Sequence, residues 1–170
     1  MPLSLSKNIL NYITTKNYKK FIYYSIITII WLSFIFYNSS LNGINSTVES
    51  NSYTYILAKL INRFIGGDIY SLQKSLTFFV RKCAHFTSYF ILMLFCFLAL
   101  KNIIADKKYL IISVILFCIY AATTDEFIQL FSEGRSGNLI DVLIDTLGSL
   151  SSIFLIGIIN NLNKYKNAYL

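Results

Sequence analysis

The sequence predicts an all-α, polytopic integral membrane protein with four transmembrane helices and an amphipathic helix in the first loop. Of its 170 residues, 55% are hydrophobic and 14% are charged, whereas soluble domains carry about 45–50% and about 25%. The mean hydropathy is +0.57, and the apolar residues form four long runs. These runs are continuous, which favours helices over the alternating strands of a membrane barrel. The length is that of one domain.

Four segments have the length and composition needed to cross the hydrocarbon core of a bilayer. They are residues 21–37, 78–100, 109–131 and 139–159. The first can extend by one turn toward residue 18. It is interpreted as a retained anchor, because it is longer than the apolar region of a signal peptide and lacks a small-residue cleavage site. The spans define a transmembrane domain over residues 21–159, between an N-terminal segment (1–20) and a tail (160–170).

Lysine residues are concentrated in the N-terminal segment, the loop between the second and third spans, and the tail. These three segments hold nine of the 15 basic residues, namely Lys7, Lys16, Lys19, Lys20, Lys101, Lys107, Lys108, Lys164 and Lys166. Because short cytoplasmic segments are enriched in Lys and Arg, we expect both termini to be cytoplasmic. The same topology explains the basic pI of about 9.3, so we expect no nucleic-acid partner.

The first loop, residues 38–77, is polar at first and then amphipathic. Within residues 53–64, five apolar side chains occur at helical spacing: Ile56, Leu57, Leu60, Ile61 and Phe64. This spacing predicts a short extracytoplasmic helix that lies on the outer membrane surface with its apolar side in the bilayer. The pair Gly66-Gly67 marks a break before the second span.

Ionisable residues inside the spans lie at one depth. Counted from the inner end of each span at about 1.5 Å per residue, His85, Asp125 and Asp145 lie about 23–26 Å along their helices. Charged groups within spans are costly and tend to face the interior of the bundle. We therefore expect the second, third and fourth helices to bring these groups together near the outer edge of the hydrocarbon core.

Helical spacing places the neighbouring polar residues on the same faces. Lys82, His85 and Tyr89 share one side of the second helix, and Gln129 shares a face with Asp125 or Glu126. On the fourth helix, Asp141 and Asp145 precede a stripe of small residues that permits close helix packing, namely Gly148, Ser149 and Ser152.

A polar turn, residues 132–138, joins the last two spans, and we expect it to aim Arg135 back at Asp141 and Asp145. A guanidinium pairs well with carboxylates because its planar fork can bind both oxygens. Two interpretations remain open, an ion-pair network that locks three helices together and a polar pocket open to the outer surface. The pocket is favoured, because a lock needs fewer groups than are assembled here.

The three cysteine residues, Cys83, Cys96 and Cys118, lack the spacing of a metal site or a disulfide framework. The second and third of them lie mid-span and are interpreted as packing residues. We assign no metal ligands.

Three sequence blocks carry most of these residues. They read FVRKCAHFTSYF at 79–90, YAATTDEFIQLFSEGRSG at 120–137 and DVLIDTLG at 141–148. In this order they closely resemble VanZ-like membrane proteins, whose pattern is roughly R-K-x-x-H-F-x-E-Y, D-E-x-H-Q-x-F-x-P-G-R-S and D-x-x-x-D/N-x-x-G. Ser88, Ile128 and Glu133 depart from this pattern, where Glu, His and Pro are usual.

The resemblance implies a bacterial cytoplasmic-membrane protein that acts near the cell-envelope face, in a family associated with glycopeptide resistance, chiefly to teicoplanin. It implies no particular reaction. We expect the pocket to bind, or to alter access to, lipid head groups, lipid-linked wall precursors or lipophilic glycopeptide antibiotics. The bilayer is the expected partner. The expected ligand-binding residues are Arg81, Lys82, Tyr89, Gln129 and Arg135.

The alternative is a membrane enzyme, a hydrolase or transferase acting on a phosphate- or acyl-bearing lipid. His85 would act as general acid or base, with four further candidate catalytic residues, Asp125, Glu126, Asp141 and Asp145. No cofactor is expected, although Mg²⁺ would suit the carboxylate oxygens under this alternative. A transporter is disfavoured, because the inner halves of the first three spans are apolar.

Overall fold

The computed structural model describes residues 17–135 and 137–168, except for the side chains of residues 44–47, 49, 52, 65 and 160–168. Within this part of the chain there are five helices: α1 (Tyr18–Ser40), α2 (Gly43–Ile65), α3 (Ile69–Leu100), α4 (Lys107–Leu130) and α5 (Leu139–Ala168). Four of them are long and apolar enough to cross a membrane, namely α1, α3, α4 and the part of α5 up to Ile159. The predicted all-α membrane fold is confirmed. Lys7 and Lys16, which support the predicted orientation, lie outside the described residues.

Helix α3 is the centre of the bundle, because it contacts each of the other four helices. Around it lie two apolar clusters, one of Ile35, Tyr89, Leu92, Ala121 and Ala122 and one of Met93, Cys96, Leu110, Val114 and Cys118. All three cysteines are free, and the two mid-span cysteines are buried as expected. Many apolar side chains on the outside of the spanning helices are exposed, which suits contact with lipid.

Two aspartates fix where α3 and α4 begin. The carboxylate of Asp68 accepts hydrogen bonds from the backbone N–H groups of Ser71 (2.9 Å) and Tyr70 (3.2 Å), and these bonds lower the pKa of Asp68. Asp106 accepts in the same way from the backbone of Lys108 (2.7 Å) and Tyr109 (3.2 Å). Both are N-caps, which satisfy donors that the helix itself leaves free.

Helix α3 begins at Ile69, nine residues before the predicted start of the second span at Phe78. The cap at Asp68 and the bonds of Gln73 and Thr77 to α2 keep the preceding polar turns helical. With 32 residues, α3 is about 48 Å long, whereas the hydrocarbon core is about 30 Å thick. Its first turns therefore project beyond the part that a bilayer can enclose.

Helix α2 confirms the predicted amphipathic helix, but it is longer than expected and packs along the start of α3. The hydroxyls of Thr54 and Thr77 are 2.8 Å apart, and Asn51 Oδ1 accepts from Thr77 at 3.1 Å. Gly66 and Gly67, with φ of 70° and 111°, make the turn between the two helices. The apolar side of α2 remains exposed at Ile56, Leu57, Leu60 and Phe64. Ile61, on the same side, is half-buried.

Helices α3 and α5 approach each other closely at Gly148. A Cβ atom at this position would collide with the backbone oxygen of Phe86. Ser149 and Ser152, on the same side of α5, are also buried, which confirms the predicted stripe of small residues. The backbone of α5 continues as a helix to Ala168, beyond the expected end of the span at residue 159.

Candidate functional site

One end of the bundle, here called the charged end, collects the ionisable side chains of α3, α4 and α5. His85 Nδ1 lies 3.5 Å from Asp145 Oδ1 and 4.0 Å from Asp125 Oδ2. One turn before His85, Lys82 forms an ion pair with Asp141. The convergence predicted from helical depth is therefore present, and α3 supplies the residue nearest to each aspartate of α5, Lys82 for Asp141 and His85 for Asp145.

Glu126 holds the turn between α4 and α5. Its Oε2 accepts from the backbone N–H of Asn138 at 2.7 Å, and its Oε1 accepts from Gln129 Nε2 at 3.0 Å. A Cβ at Gly137 would lie 2.7 Å from the backbone oxygen of Glu126, so this close approach requires glycine. Gln129 also lies 3.4 Å from Asp125 Oδ2. It therefore shares a face with both acids of α4, which the sequence left as alternatives.

Arg135 does not pair with Asp141 or Asp145, so that expectation was wrong. Among the described side chains, its guanidinium has no carboxylate within salt-bridge distance, and its Nε is buried without a hydrogen-bond partner. The reason is the position of the turn, where the backbone N–H of Gly43 donates to the oxygen of Glu133 at 2.8 Å. This contact holds the turn, and with it Arg135, against the start of α2.

Two cavities open at the charged end. The larger, of about 500 Å³, lies between α2, α3 and the α4–α5 turn, and the smaller, of about 280 Å³, lies on the α1 side of α3. Arg81, His85 and Arg135 line both of them. The larger cavity is also lined by Asn51, Gln73, Lys74, Thr77, Lys82, Gln129, Asn138 and Asp141.

The larger cavity carries an excess of positive charge. Lys74, Arg81, Lys82 and Arg135 contribute cations, while Asp141 is the one carboxylate among the described lining residues and is already paired with Lys82. Burial lowers the pKa of Arg135, and the neighbouring Arg81 guanidinium lowers it further. Neighbouring like charges repel, and an anion between them would relieve this repulsion.

The expected ligand-binding residues divide between the cavities and the core. Arg81, Lys82, Gln129 and Arg135 line the larger cavity. Tyr89 lines the smaller one and is fully buried, and its hydroxyl has no hydrogen-bond partner among the described residues. The expected catalytic residues Asp125, Glu126 and Asp145 are buried and line neither cavity. His85, by contrast, lines both cavities.

Several polar residues of the larger cavity were not predicted from the sequence, among them Asn51, Gln73, Lys74, Thr77 and Asn138. A signal for one of them was available. Lys74 lies seven residues before Arg81 and eleven before His85, which places all three on one face of a continuous helix. The predicted span began at residue 78 and therefore did not include Lys74. The contribution of Asn51 depends on the α2–α3 packing, which has no local sequence pattern.

The comparison with protein families agrees with this arrangement. The VanZ/LLP1 family model matches residues 21–160, a range that contains every residue of the two cavities and all of the four spans except residues 18–20. No curated protein and no solved structure matches the chain. A match over most of the chain establishes the family, and this protein is a member of the VanZ/LLP1 family of membrane proteins.

Proposed function

We propose that this protein binds the phosphate-bearing head group of a membrane lipid or lipid-linked cell-wall precursor in the larger cavity. The observation that carries the proposal is the pair of guanidiniums, Arg81 and Arg135, that line the cavity without a carboxylate partner among the described side chains. A phosphate oxygen would supply the acceptor that the buried Nε of Arg135 lacks. Guanidinium groups bind phosphate through two parallel hydrogen bonds.

The shape of the site suits a ligand that stays in the membrane. The cavity is lined by Asn51 of α2 and by the first turns of α3, and the apolar side of α2 is exposed. An amphipathic helix of this kind lies at the level of the head groups. A lipid could therefore place its phosphate in the cavity while its acyl or prenyl chains remain in the bilayer.

The proposal includes a location and an orientation. Both chain termini lie in the cytoplasm, because the segments richest in lysine remain on the cytoplasmic side, and the charged end faces the cell envelope. Occupation of the cavity would change the access of lipoglycopeptides to lipid-linked precursors. This consequence links the proposal to the teicoplanin resistance with which the family is associated.

Lipid binding by the purified full-length chain tests the proposal. Native mass spectrometry in detergent would compare a polyprenyl phosphate, phosphatidylglycerol and the zwitterionic phosphatidylcholine. A charged hydrogen bond is worth about 1.5–3 kcal/mol, so Arg81→Gln and Arg135→Gln are each expected to weaken binding of the phosphate lipids by about 10- to 100-fold. The relative affinity of the first two lipids distinguishes a terminal phosphate from a diester.

Arg63→Gln is the matched control, because Arg63 is an exposed arginine of α2 outside the two cavities. It is expected to bind each lipid as the unmodified protein does. Equal losses in all three variants would indicate a general effect of charge and would contradict the proposed site. Binding that is equally strong for phosphatidylcholine would contradict recognition of an anion.

The membrane-enzyme alternative is favoured by one specific observation, the placement of His85. Its ring lines both cavities while Nδ1 faces the buried carboxylates of Asp145 and Asp125, as in a general base that carboxylates orient. Under this alternative, a phosphate- or acyl-bearing lipid would be turned over, and His85→Gln would abolish turnover. Native mass spectra of the same samples distinguish turnover from binding, because the mass of a bound lipid changes on turnover and does not change on binding alone.

A further inference from the structure

Four metal-ligand side chains from three helices meet beneath the two cavities. His85 of α3, Asp125 and Glu126 of α4, and Asp145 of α5 each offer a donor atom, and these atoms all lie within 4.8 Å of one another. We call this group the His/carboxylate cluster. Sequence spacing did not predict a metal site here, because the four residues are spread over three helices and no single helix carries a recognisable ligand motif.

Buried polar atoms in the cluster lack partners. Asp125 and Asp145 are fully buried, yet Asp125 Oδ1 and both carboxylate oxygens of Asp145 have no hydrogen-bond partner in the described chain. The hydroxyl of fully buried Tyr89 is also without a hydrogen-bond partner among the described residues. Buried polar atoms are normally paired, so such a group of unpartnered atoms is typical of a ligand-binding site.

The charge of the cluster identifies that ligand as a cation. Three carboxylates, all buried, face a single imidazole, and the nearest ammonium, that of Lys82, is paired with Asp141. Arg135, another nearby cation, lines the cavities and forms no ion pair with a described carboxylate of the cluster. Buried carboxylates that have no cationic partner are strongly unfavourable, and coordination of a metal ion is one way that proteins compensate them.

We infer that the His/carboxylate cluster binds one divalent first-row transition-metal ion, Mn²⁺ or Zn²⁺. One imidazole nitrogen with three carboxylate oxygens is a mixed donor set, and nitrogen donors favour these ions over Mg²⁺ and Ca²⁺, which take oxygen ligands. Gln129 and the backbone N–H of Asn138 hold Glu126 from outside. Hydrogen bonds of this kind orient metal-bound carboxylates.

Metal binding goes beyond the proposed lipid site and does not depend on it. The full-length chain, purified in detergent, is stripped with EDTA and then titrated separately with MnCl₂ and ZnCl₂. Elemental analysis would give the stoichiometry, electron paramagnetic resonance would report bound Mn²⁺, and thermal melting would report stabilisation. The expected result is one ion per chain and a raised melting temperature.

Asp145→Asn and His85→Gln are each expected to weaken metal binding at least tenfold. The matched control is Asp68→Asn, because Asp68 lies outside the cluster and asparagine also caps helices well, so its binding is expected to be unchanged. An unmodified, folded protein that takes up neither ion would overturn the inference, whether or not the variants fold. Equal metal uptake by folded His85→Gln and Asp145→Asn would also overturn it, because the ion would then be adventitious.

Discussion

Gly148→Ala is expected to destabilise the protein by about 3 kcal/mol, at the upper end of the effects of overpacking. The added methyl group would collide with the backbone oxygen of Phe86, and a backbone atom cannot move to another rotamer. Helices α3 and α5 would have to separate, which would also pull His85 away from Asp145. Unfolding of the purified protein in mixed detergent micelles measures the loss.

Gly157→Ala is the control for this substitution. Gly157 lies on the same helix, and a Cβ at this position meets nothing within 4 Å. Alanine is favoured over glycine in a helix by about 0.5–1 kcal/mol, so this variant is expected to be unchanged or slightly more stable. A Gly148→Ala protein as stable as Gly157→Ala would show that the two helices are not in close contact.

Lys82→Met is expected to reduce the free energy of unfolding by about 2–3 kcal/mol. The substitution keeps the length of the side chain but leaves Asp141 without its cation. Removing one partner of a fully buried pair costs about 3–5 kcal/mol. The smaller value is expected here because the Lys82 side chain is 22% exposed and lines the larger cavity, where water can reach the carboxylate.

A double-mutant cycle isolates this ion pair from the other effects of each substitution. The double variant Lys82→Met/Asp141→Asn is expected to be more stable than the sum of the two single losses predicts, with a coupling energy of about 1–2 kcal/mol. Arg81→Met is the control, since Arg81 has no carboxylate partner among the described side chains. A coupling energy near zero would contradict the pairing of Lys82 with Asp141.

The sequence predicted the spans and the level of the charged end well, for a physical reason. Helical rise is constant, so the depth of His85, Asp125 and Asp145 follows from counting residues from the inner ends of their spans. The small residues after Asp145 predicted a close contact in the same way, because helical spacing places Gly148 and Ser152 on the side that faces α3.

The sequence could not predict which cation meets which carboxylate. Arg135 is close in sequence to Asp141, which suggested a pair, but the contact between Gly43 and the α4–α5 turn holds Arg135 elsewhere. Lys82, which is 59 positions from Asp141, forms the pair instead. Pairing of this kind depends on tertiary contacts between distant segments, and local patterns do not encode it.

The N-terminal extension of α3 could not be predicted from local sequence patterns either. Residues 69–77 are polar enough to resemble a loop, and they are helical because Asp68 caps them and α2 packs against them through Asn51 and Thr54. The wall of the larger cavity depends on this extension. The cavity therefore became visible only in three dimensions, although its cations were already recognisable in the sequence.

The proposed lipid site requires a cationic cavity that faces the outside of the cell, and sided cysteine labelling tests this directly. In a background without Cys83, Cys96 and Cys118, Lys74→Cys places a thiol in the larger cavity and Ala105→Cys places one in the α3–α4 loop. A membrane-impermeant maleimide is predicted to label the first in intact cells and the second only after permeabilisation. The reverse pattern would place the cavity on the cytoplasmic side and contradict the proposed orientation and lipid site.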